Sequence, residues 1–533
     1  ISIAPVEDFS VTRRYAEDTN ILETTFTTVS GSLRLTDWIP LGQGGQLSWS
    51  QLVRRVDGLD GEVRLRWSVA PGNRFNSTQP WVHTDDGALL IANGAEQLAI
   101  QSWDLGEPAV SDRSVGCELT ISAGQCGVLS ITGGEDSPVV IPTRERCVES
   151  ADLTAGRWRD WAGSIRYDGP WETEVRRSAL ALKLLTYAPT GAIIAAPTTS
   201  LPERVGGEKN WDYRYMWVRD AAFTVDAFLS LELQDEAHAA VKWMLGALRR
   251  TSPELRVFYG LDANEPEGQH VIDVAGYRHS RPVRSGNRAA RQTQLGTFGD
   301  LFEMISLYVR DGHRLDPPSA RLLTDLADRC CDVWLTEDAG IWELTDSHHY
   351  TVSKIGCWTA LDRAVRLADT ERLQTPHAAR WAAERDRIAA WVNEYCWSQS
   401  KRSYTAYAGT DDLDAATLLA ARTGFEQGQR LTTTIAAIRS ELQHGPSVYR
   451  YTGADGEEGA FIACTFWLVN ALALNDQVDA ARKLMDQAVD LANDVGLFAE
   501  QIDPTSGDAL GNFPQGLSHL ALINAACAFP PSR

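Results

Sequence analysis

The feature that most constrains the fold of this chain is a change in the spacing of its apolar residues near Thr154. From residue 1 to about 145, apolar and polar residues tend to alternate, which is typical of half-buried β-strands. After Trp161 the apolar residues return at every third or fourth position, which is typical of helices that bury one face. These two periods in succession predict a β domain followed by a helical domain.

The first part predicts an antiparallel β-sandwich, because short alternating segments rich in Thr and Val are separated by turn-forming residues. Asp and Gly are frequent at Val56–Gly61 and Thr132–Glu135, where we place turns. The clearest predicted strands are Ile21–Ser30, Glu62–Val69, Leu98–Trp103 and Cys117–Ile121.

The second part predicts about twelve helices separated by loops rich in Gly, Pro, Asp and aromatic residues. Paired helices in this number fit an (α/α)6 barrel, an all-α toroid whose loops at one end build a pocket, although an open helical solenoid has the same periodicity. We therefore predict two domains, with the sandwich at 1–150, a linker at 151–175 and the catalytic barrel at 176–533. The predicted helices are Glu174–Leu185, Asp220–Leu231, Glu236–Arg249, Leu295–Asp311, Ala320–Thr336, Trp358–Ala368, Ala378–Cys396, Asp414–Ala421, Gly428–Glu441, Ala460–Leu474, Val478–Val495 and Leu517–Cys527.

Charge and composition narrow the partners of the chain. Lys and Arg total 50 against 71 Asp and Glu, a net charge of −21 that disfavours nucleic acid and anionic lipid. The nine cysteines are odd in number and contain no CxxC motif, so they do not indicate a disulfide framework. No run of about 18 apolar residues is present, so the sequence predicts no membrane-spanning helix. We expect a cytoplasmic protein without a cofactor or metal, with a mature secreted form as an open alternative. The sequence does not set its oligomeric state.

Two glutamates in apolar loop segments are the first candidates for chemistry. Glu343 follows Gly340-Ile-Trp, and Glu500 follows Gly496-Leu-Phe-Ala. A carboxyl packed against Trp342 would be desolvated, which raises its pKa and suits a general acid. Two carboxyls on loops of one barrel are the minimum for glycoside hydrolysis, but the spacing of these two says nothing about their distance in space. Each could equally be an exposed loop acid.

Other polar segments leave several interpretations open. The segment Asn210–Asp220 combines four charged and four aromatic residues, so it is either a structural Arg–Asp pair at a helix start or part of a site. Arg278–Arg291 is basic enough for an anion site, although pairing with nearby acids is the simpler interpretation. His348 and His349 lack a third metal ligand nearby, and Gly453–Gly459 lacks the spacing of a calcium loop.

Taken together, the loop motifs resemble glycoside hydrolase family 15, the glucoamylase-like enzymes, in the bacterial form with an N-terminal β-sandwich. Relatives in this family include glucodextranase, isomaltose glucohydrolase and trehalase. The motifs occur in family order within roughly residues 165–530, and several long motifs in order are far more specific than one. They are NWDYRYMWVRD at Asn210–Asp220, GYRHSRPVRSGN at Gly276–Asn287, GIWE at Gly340–Glu343, SKIGCWTALDRA at Ser353–Ala364, VYRY at Val448–Tyr451, LFAEQIDP at Leu497–Pro504 and GNFPQGLS at Gly511–Ser518.

The resemblance implies an (α/α)6 barrel, inversion at the anomeric carbon and a role for each motif residue. Glu343 takes the place of the general acid, and Glu500 that of the general base that holds the attacking water. The substrate-binding positions implied by the resemblance are Tyr213, Trp217, Arg219, Asp220, Ile341, Trp342 and Arg450. Leu344 departs from the pattern, since many relatives carry a second acid directly after the general acid, and this affects the expected linkage preference.

We therefore expect an inverting, exo-acting α-glucoside hydrolase that releases β-D-glucose from the non-reducing end of short α-1,4- or α-1,6-linked gluco-oligosaccharides, such as isomaltose. The alternative within the family is an α,α-trehalase. Outside it, a sugar phosphorylase would need phosphate bound at a site such as Arg278–Arg291, and a non-catalytic carbohydrate-binding protein would not need both Glu343 and Glu500. The expected partner is a small α-glucoside.

Overall fold

The computed structural model describes residues 1–42, 49–74, 77–85, 88–135, 139–266, 268–370, 373 and 375–529. The chain divides into two compact units, residues 1–164 and residues 165–533. Among the described residues, no helix is both long and apolar enough to cross a lipid bilayer.

The first unit is an antiparallel β domain that ends in one helix, α1. Within the described residues its elements are β1 Ser2–Pro5, β2 Ser10–Tyr15, β3 Leu22–Thr27, β4 Gly31–Trp38, β5 Trp49–Val69, β6 Trp81–Asp85, β7 Ala88–Asn93, β8 Glu96–Trp103, β9 Ala109–Val110, β10 Val115–Ser122, β11 Cys126–Glu135 and α1 Arg144–Ala162.

The long strand β5 connects two groups of strands. Its first half pairs with β4 and β11, in the strand order β2-β3-β4-β5-β11-β8-β7-β6, and its second half pairs with β1 and β10. Alternate residues of these strands, such as Val63, Leu65 and Trp67, are buried in one apolar core. The alternation in the sequence therefore identifies the face of each strand that is buried on folding. The prediction of an N-terminal antiparallel β domain is confirmed.

Both predicted turns in this domain are wrong. Val56–Gly61 lies inside β5, and Thr132–Glu135 is the end of β11. Gly61 adopts φ +61°, and a Cβ there would clash with the carbonyl oxygen of Ser30. The glycine therefore permits close approach of two strands beside an irregularity in the β4–β5 pairing, a role that glycines also have inside strands.

Helix α1 was not predicted, and it occupies 151–162 of the stretch expected to be a linker. Thr143 caps its N-terminus by accepting a hydrogen bond from the backbone N–H of Arg146. Its Cys147 packs with Trp38 and Val53, so the helix belongs to the first unit.

The second unit is helical. Its described helices are α2 Glu172–Leu185, α3 Val218–Ser230, α4 Gln234–Thr251, α5 Gly296–Arg310, α6 Pro317–Val333, α7 Thr351–Asp369, α8 Ala378–Tyr395, α9 Leu419–Thr423, α10 Gln429–Glu441, α11 Ile462–Leu474, α12 Val478–Ala488 and α13 Gly516–Ala526. Short two-residue or three-residue strands lie between them, including Met216–Trp217, Phe258–Tyr259 and Gln501–Ile502. These helices match the predicted segments within a few residues, with three exceptions. Helix α7 begins at Thr351, seven residues before the predicted start at Trp358. Asp414–Ala421 begins with a 3₁₀ turn, Ala415–Leu418, and α12 ends at Ala488.

Six of these helices contact one another in a cycle. Helix α3 packs on α5, α5 on α7, α7 on α9, α9 on α11 and α11 on α13, and α13 packs in turn on α3. The two most apolar members, α11 and α13, are buried on nearly every side, which fits a position inside the unit. We call these six the ring helices. The segments that precede them bring together the residues described next.

Candidate active site

A cavity lies where the segments preceding the ring helices meet. Its walls come from four such segments, those before α3, α5, α7 and α11, together with Gln515 at the start of α13. The lining residues are Lys209, Trp211, Tyr213, Arg219, Arg288, Ile341, Trp342, Glu343, Leu344, Arg450, Tyr451, Phe461 and Gln515. Of the predicted site residues, Tyr213, Arg219, Ile341, Trp342, Glu343 and Arg450 therefore line one cavity, whereas Trp217, Asp220 and Glu500 lie behind it.

Glu343 projects from the segment before α7. Its Oε1 accepts a 2.7 Å hydrogen bond from the indole Nε1 of Trp217, which is itself stacked on Phe258 with ring centroids 4.5 Å apart. Burial raises the pKa of Glu343, while the charge of Arg219 and the Trp217 bond act to lower it. The carboxyl is thus held in one orientation in a desolvated wall of the cavity, the environment that favours its neutral form.

The backbone of Glu343 is in the left-handed region, at φ +60°, which is unfavourable for a residue with a side chain. Two donors hold its carbonyl oxygen: Arg288 at 3.0 Å and Gln292 Nε2 at 3.2 Å. Both donors come from the segment before α5, so a second loop fixes the direction in which the Glu343 side chain leaves the chain.

The sequence suggested Trp342 as the aromatic group beside Glu343. A raised pKa for Glu343 agrees with that expectation, but Trp217 supplies the indole N–H. Trp342 donates instead to Asp414 Oδ1 at 2.9 Å and packs edge-on against Phe461. Trp342 and Glu343 therefore both line the cavity, but their side chains form hydrogen bonds with different partners.

Glu500 is fully buried, with 0 % of the residue exposed. Its Oε1 accepts a 2.8 Å hydrogen bond from the hydroxyl of Tyr213, and its Oε2 accepts one of 3.1 Å from the backbone N–H of Asn512. Burial and the nearby carboxyl of Glu203 raise the pKa of Glu500 to about 8, although Arg450 acts to lower it. Since Tyr213 lines the cavity and Glu500 touches Tyr213, the carboxylate lies one side chain behind the cavity wall.

Arg219 and Asp220, at the start of α3, form a buried pair. Arg219 Nε donates to Asp220 Oδ1 at 2.7 Å, and one of its terminal nitrogens donates to the carbonyl oxygen of Ile341 at 3.1 Å. The second Asp220 oxygen, Oδ2, has no hydrogen-bond partner among the described residues. The pair therefore ties the segment before α7 to α3 and leaves acceptor capacity beside the cavity.

Arg450 lies at the base of the cavity within a cluster of charges that the sequence did not suggest. It donates to both oxygens of Glu458 at 2.5 Å and to Glu203 Oε2 at 2.7 Å. Lys209 also donates to Glu458, at 2.5 Å. In the sequence, the one available signal was the density of acids and bases around Glu203 and in Gly453–Gly459.

The basic stretch Arg278–Arg291 contributes contacts with the protein itself. Arg284 donates to the carbonyl oxygens of Glu208 and Asn210 and lies over the ring of Trp211, with its guanidinium carbon 4.5 Å from the centroid. The guanidinium carbon of Arg288 also lies near this ring, 4.8 Å from the Trp211 centroid. Among the described residues, no group of three or more His, Cys, Asp or Glu side chains is placed to hold a metal ion.

Residues 171–527 match the model of a family described as glycosyl hydrolases family 15. The chain is 32 % identical to a trehalase of Thermoplasma volcanium, over 97 % of this chain and 84 % of that protein. It is 33 % identical to a trehalase of Mycobacterium tuberculosis, over 96 % and 80 %, and 34 % identical to one of Mycolicibacterium smegmatis, over 96 % and 81 %.

Among solved structures, the chain is similar to a bacterial glucoamylase complexed with acarbose, with a TM-score of 0.74. The similarity covers 97 % of this chain and 85 % of that chain at 14 % identity, so it shows the fold alone. A second structure, a wild-type glycosidase, matches 67 % of this chain and 96 % of its own with a TM-score of 0.55.

Proposed function

The chain belongs to glycosyl hydrolases family 15, and from that premise we propose that it hydrolyses α,α-trehalose, with Glu343 as general acid and Glu500 as general base. The proposal takes the alternative from the sequence analysis over the exo-acting hydrolase of α-1,4- or α-1,6-linked glucosides expected there. The family assignment holds for both, and the difference between them lies in the linkage that is cleaved, that is, in which hydroxyl of the leaving glucose carries the bond.

The observation that carries the choice is the extent of similarity to proteins named trehalase. Relatives from archaea and mycobacteria match 96 % or more of this chain at 32–34 % identity, so the similarity extends over nearly the whole chain. The similarity to a glucoamylase structure does not decide the substrate, because at 14 % identity it shows the fold alone.

The cycle of ring helices supports the (α/α)6 barrel as the architecture of this unit. Five of the ring helices have a further helix against them: α4 on α3, α6 on α5, α8 on α7, α10 and α12 on α11, and α2 on α13. Next to the sixth, α9, helix α10 packs on the 3₁₀ turn that precedes it. Six inner and six outer helices account for α2–α13. The proposed site then lies at the N-terminal ends of the inner helices.

In the proposed reaction, Glu343 gives its proton to the glycosidic oxygen while Glu500 takes a proton from the attacking water. Burial of Glu343 favours the protonated acid. Two hydrogen bonds, from Tyr213 and Asn512, favour ionised Glu500. The positive charge that develops on the sugar ring is stabilised by that carboxylate and by the fixed dipoles around the cavity. Inversion requires room for water, so we expect the two carboxyls to lie about 6.5–9.5 Å apart when substrate is bound.

The proposed sugar positions follow from the two sides of Glu343. Arg219, which lines the cavity, is placed to bind hydroxyls of the glucose that is attacked, through charge-assisted hydrogen bonds, and Asp220 holds its guanidinium in position. The leaving glucose would lie against Leu344 and the face of Trp211, which Arg284 and Arg288 support from behind.

The first test compares trehalose, maltose and isomaltose as substrates, with the anomeric protons of released glucose followed by NMR. Trehalose has no reducing end, so inversion gives one β-glucose from the attacked ring and one α-glucose from the leaving ring. We expect equal early amounts of the two anomers from trehalose, and slower or no cleavage of the other two disaccharides.

Rapid release of β-glucose from maltose or isomaltose, with trehalose untouched, would return the assignment to the exo-acting oligosaccharide hydrolase. Glucose 1-phosphate formed in phosphate buffer would identify a phosphorylase instead. Binding of sugars without turnover would support the binding-protein alternative.

The two aromatic hydrogen-bond donors should set the two limbs of the pH profile separately. Trp217→Phe removes the donor to Glu343 and keeps a ring on Phe258, so the pKa of Glu343 rises further and the alkaline limb of kcat/KM moves to higher pH. Tyr213→Phe removes the donor to Glu500, so the pKa of Glu500 rises and the acid limb moves to higher pH. We expect each shift to be about 1 pH unit, as for loss of one hydrogen bond to a charged group.

Each variant is the control for the other, because both replace a polar aromatic residue with Phe at the cavity. A shift of the same limb in both variants, or of neither limb, would contradict the assignment of acid and base.

A further inference from the structure

Five ionisable side chains form a cluster at the cavity wall and next to it, and its acidic groups outnumber its basic groups by one. It holds three carboxyls and two cations within hydrogen-bond or electrostatic contact. The members are Glu203, Lys209, Arg450, Glu458 and Glu500. Two positive charges can balance two carboxylates in a buried setting, and a third ionised carboxylate would remain without compensation. One of the three carboxyls is therefore expected to be neutral.

Glu458 is not the neutral one, because both cations contact it directly. Arg450 forms a two-pronged pair with it, and Lys209 donates to its Oε2. Burial acts against ionisation, yet these two cations hold the pKa of Glu458 below its ordinary value. The proton must lie on Glu203 or on Glu500, which interact with each other and titrate as a pair.

The hydrogen bonds of the two remaining carboxyls differ. Both oxygens of Glu500 accept a bond from a neutral donor, Tyr213 for one and the backbone of Asn512 for the other, and such bonds favour a carboxylate. Glu203 is 1 % exposed, and only its Oε2 is satisfied, by the Arg450 group that it shares with Glu458. Its Oε1 makes no hydrogen bond of standard geometry with the described residues. A buried oxygen without a donor costs less on a neutral carboxyl than on a charged one.

Of the further groups around the pair, one favours an ionised Glu203 and two are neutral. Gln501, next to Glu500, acts to lower the pKa of Glu203, and Tyr451 and Cys464 are neutral neighbours of the two cations. On the described residues, the charged or titratable groups facing the pair are Lys209, Tyr213, Arg450, Tyr451, Glu458 and Cys464. The exposed carboxyl of Glu457 also pairs with Lys209, at 3.0 Å.

We infer that Glu203 holds the proton of this carboxyl pair and thereby leaves Glu500 ionised. Resting on the proposed role of Glu500 as base, this makes Glu203 a positioning residue, since it acts on the reaction only through Glu500. Neutral Glu203 exerts no repulsion on Glu500, so the base stays ionised at a lower pH than it would beside a second carboxylate.

The test uses the pair Glu203→Gln and Glu203→Ala in the full chain. Glutamine has the shape of the protonated acid and retains an acceptor for Arg450, whereas alanine leaves Arg450 with one partner fewer and opens a cavity. We expect Ala to lower kcat at least about tenfold and Gln to restore it to within about threefold of the parent. The acid limb of kcat/KM for the Gln variant should remain within about 0.3 pH unit of the parent, because a neutral residue replaces a neutral residue.

A second readout does not require turnover. A carboxyl with a raised pKa binds its proton more tightly in the folded chain, so unfolding free energy falls as pH rises from about 4.5, the ordinary glutamate value, through the range in which the folded pair releases its proton, up to about 8. Glu203→Gln has no proton to lose at this position. Its Tm relative to the parent should therefore increase steadily as pH is raised through that range.

An acid limb that moves about 1 unit or more to lower pH in Glu203→Gln would overturn the inference, because it would mean that a negative charge had been removed. Loss of activity or of folding in Glu203→Gln, or a Tm difference independent of pH, would overturn it as well. Failure of the proposed function is recognised separately. If Glu500→Gln is as active as the parent, the base is elsewhere, and the Tm comparison still reports whether the carboxyl pair holds a proton in the folded chain.

Discussion

Glu500→Gln is expected to lower kcat on trehalose by about 10²–10⁴, the range for loss of a general base, with little change in fold. The amide fits the space of the carboxylate: its oxygen can accept from the Asn512 N–H, and its nitrogen can donate to a rotated Tyr213 hydroxyl. The rate falls because an amide does not accept the proton of the attacking water. Initial rates of glucose release, with thermal unfolding of the same sample, measure both effects.

The matched control for this variant is Glu457→Gln. Glu457 belongs to the same charged region and pairs with Lys209 at 3.0 Å, but 66 % of its side chain is exposed. An exposed pair contributes little, so the control should retain the parent rate. If both variants lost activity equally, the effect would come from the charge balance of the region and not from proton transfer at Glu500.

Glu343→Gln is expected to lower kcat on trehalose by a similar factor of about 10²–10⁴, for a different reason. Glucose is a poor leaving group unless its oxygen is protonated, and the amide has no acidic proton. Trp217 still finds an acceptor in the amide oxygen, so the loop should retain its position.

An activated substrate separates the two roles. Fluoride leaves from α-glucosyl fluoride without a strong acid, so Glu343→Gln should lose far less of its rate on the fluoride than on trehalose. Glu500→Gln should be slow on both, because water must still be activated. Equal losses on the two substrates in Glu343→Gln would contradict its role as general acid.

The helices were predictable because each buries one face, which places apolar residues at every third or fourth position of the sequence. Val175, Ala179, Leu182 and Leu185 of α2 recur at helical spacing, and all four are buried. In the β domain the same physics found the strands, but the Asp–Gly residues of Val56–Gly61 look like a turn in sequence and lie inside a strand. Local turn chemistry was overridden there by pairing with β4 and β11.

The site was predictable only in part. The resemblance to a family supplied the residues of the motifs, and six of them line one cavity. It did not supply Glu203, Lys209 or Glu458, whose contacts with Arg450 and with one another join residues far apart in the chain. Nor could spacing tell that Trp217, not Trp342, reaches Glu343, since this depends on the direction of side chains in two loops.

The order in which the ring helices follow one another has a consequence for synthesis of the protein. Glu500 precedes α13, the helix that packs back on α2 and α3, the earliest helices of the unit. A nascent chain emerging from the ribosome therefore exposes the apolar faces of α2 and α3 that α13 covers until α13 has been synthesised. We therefore expect a product truncated before α13 to aggregate more readily than the full chain.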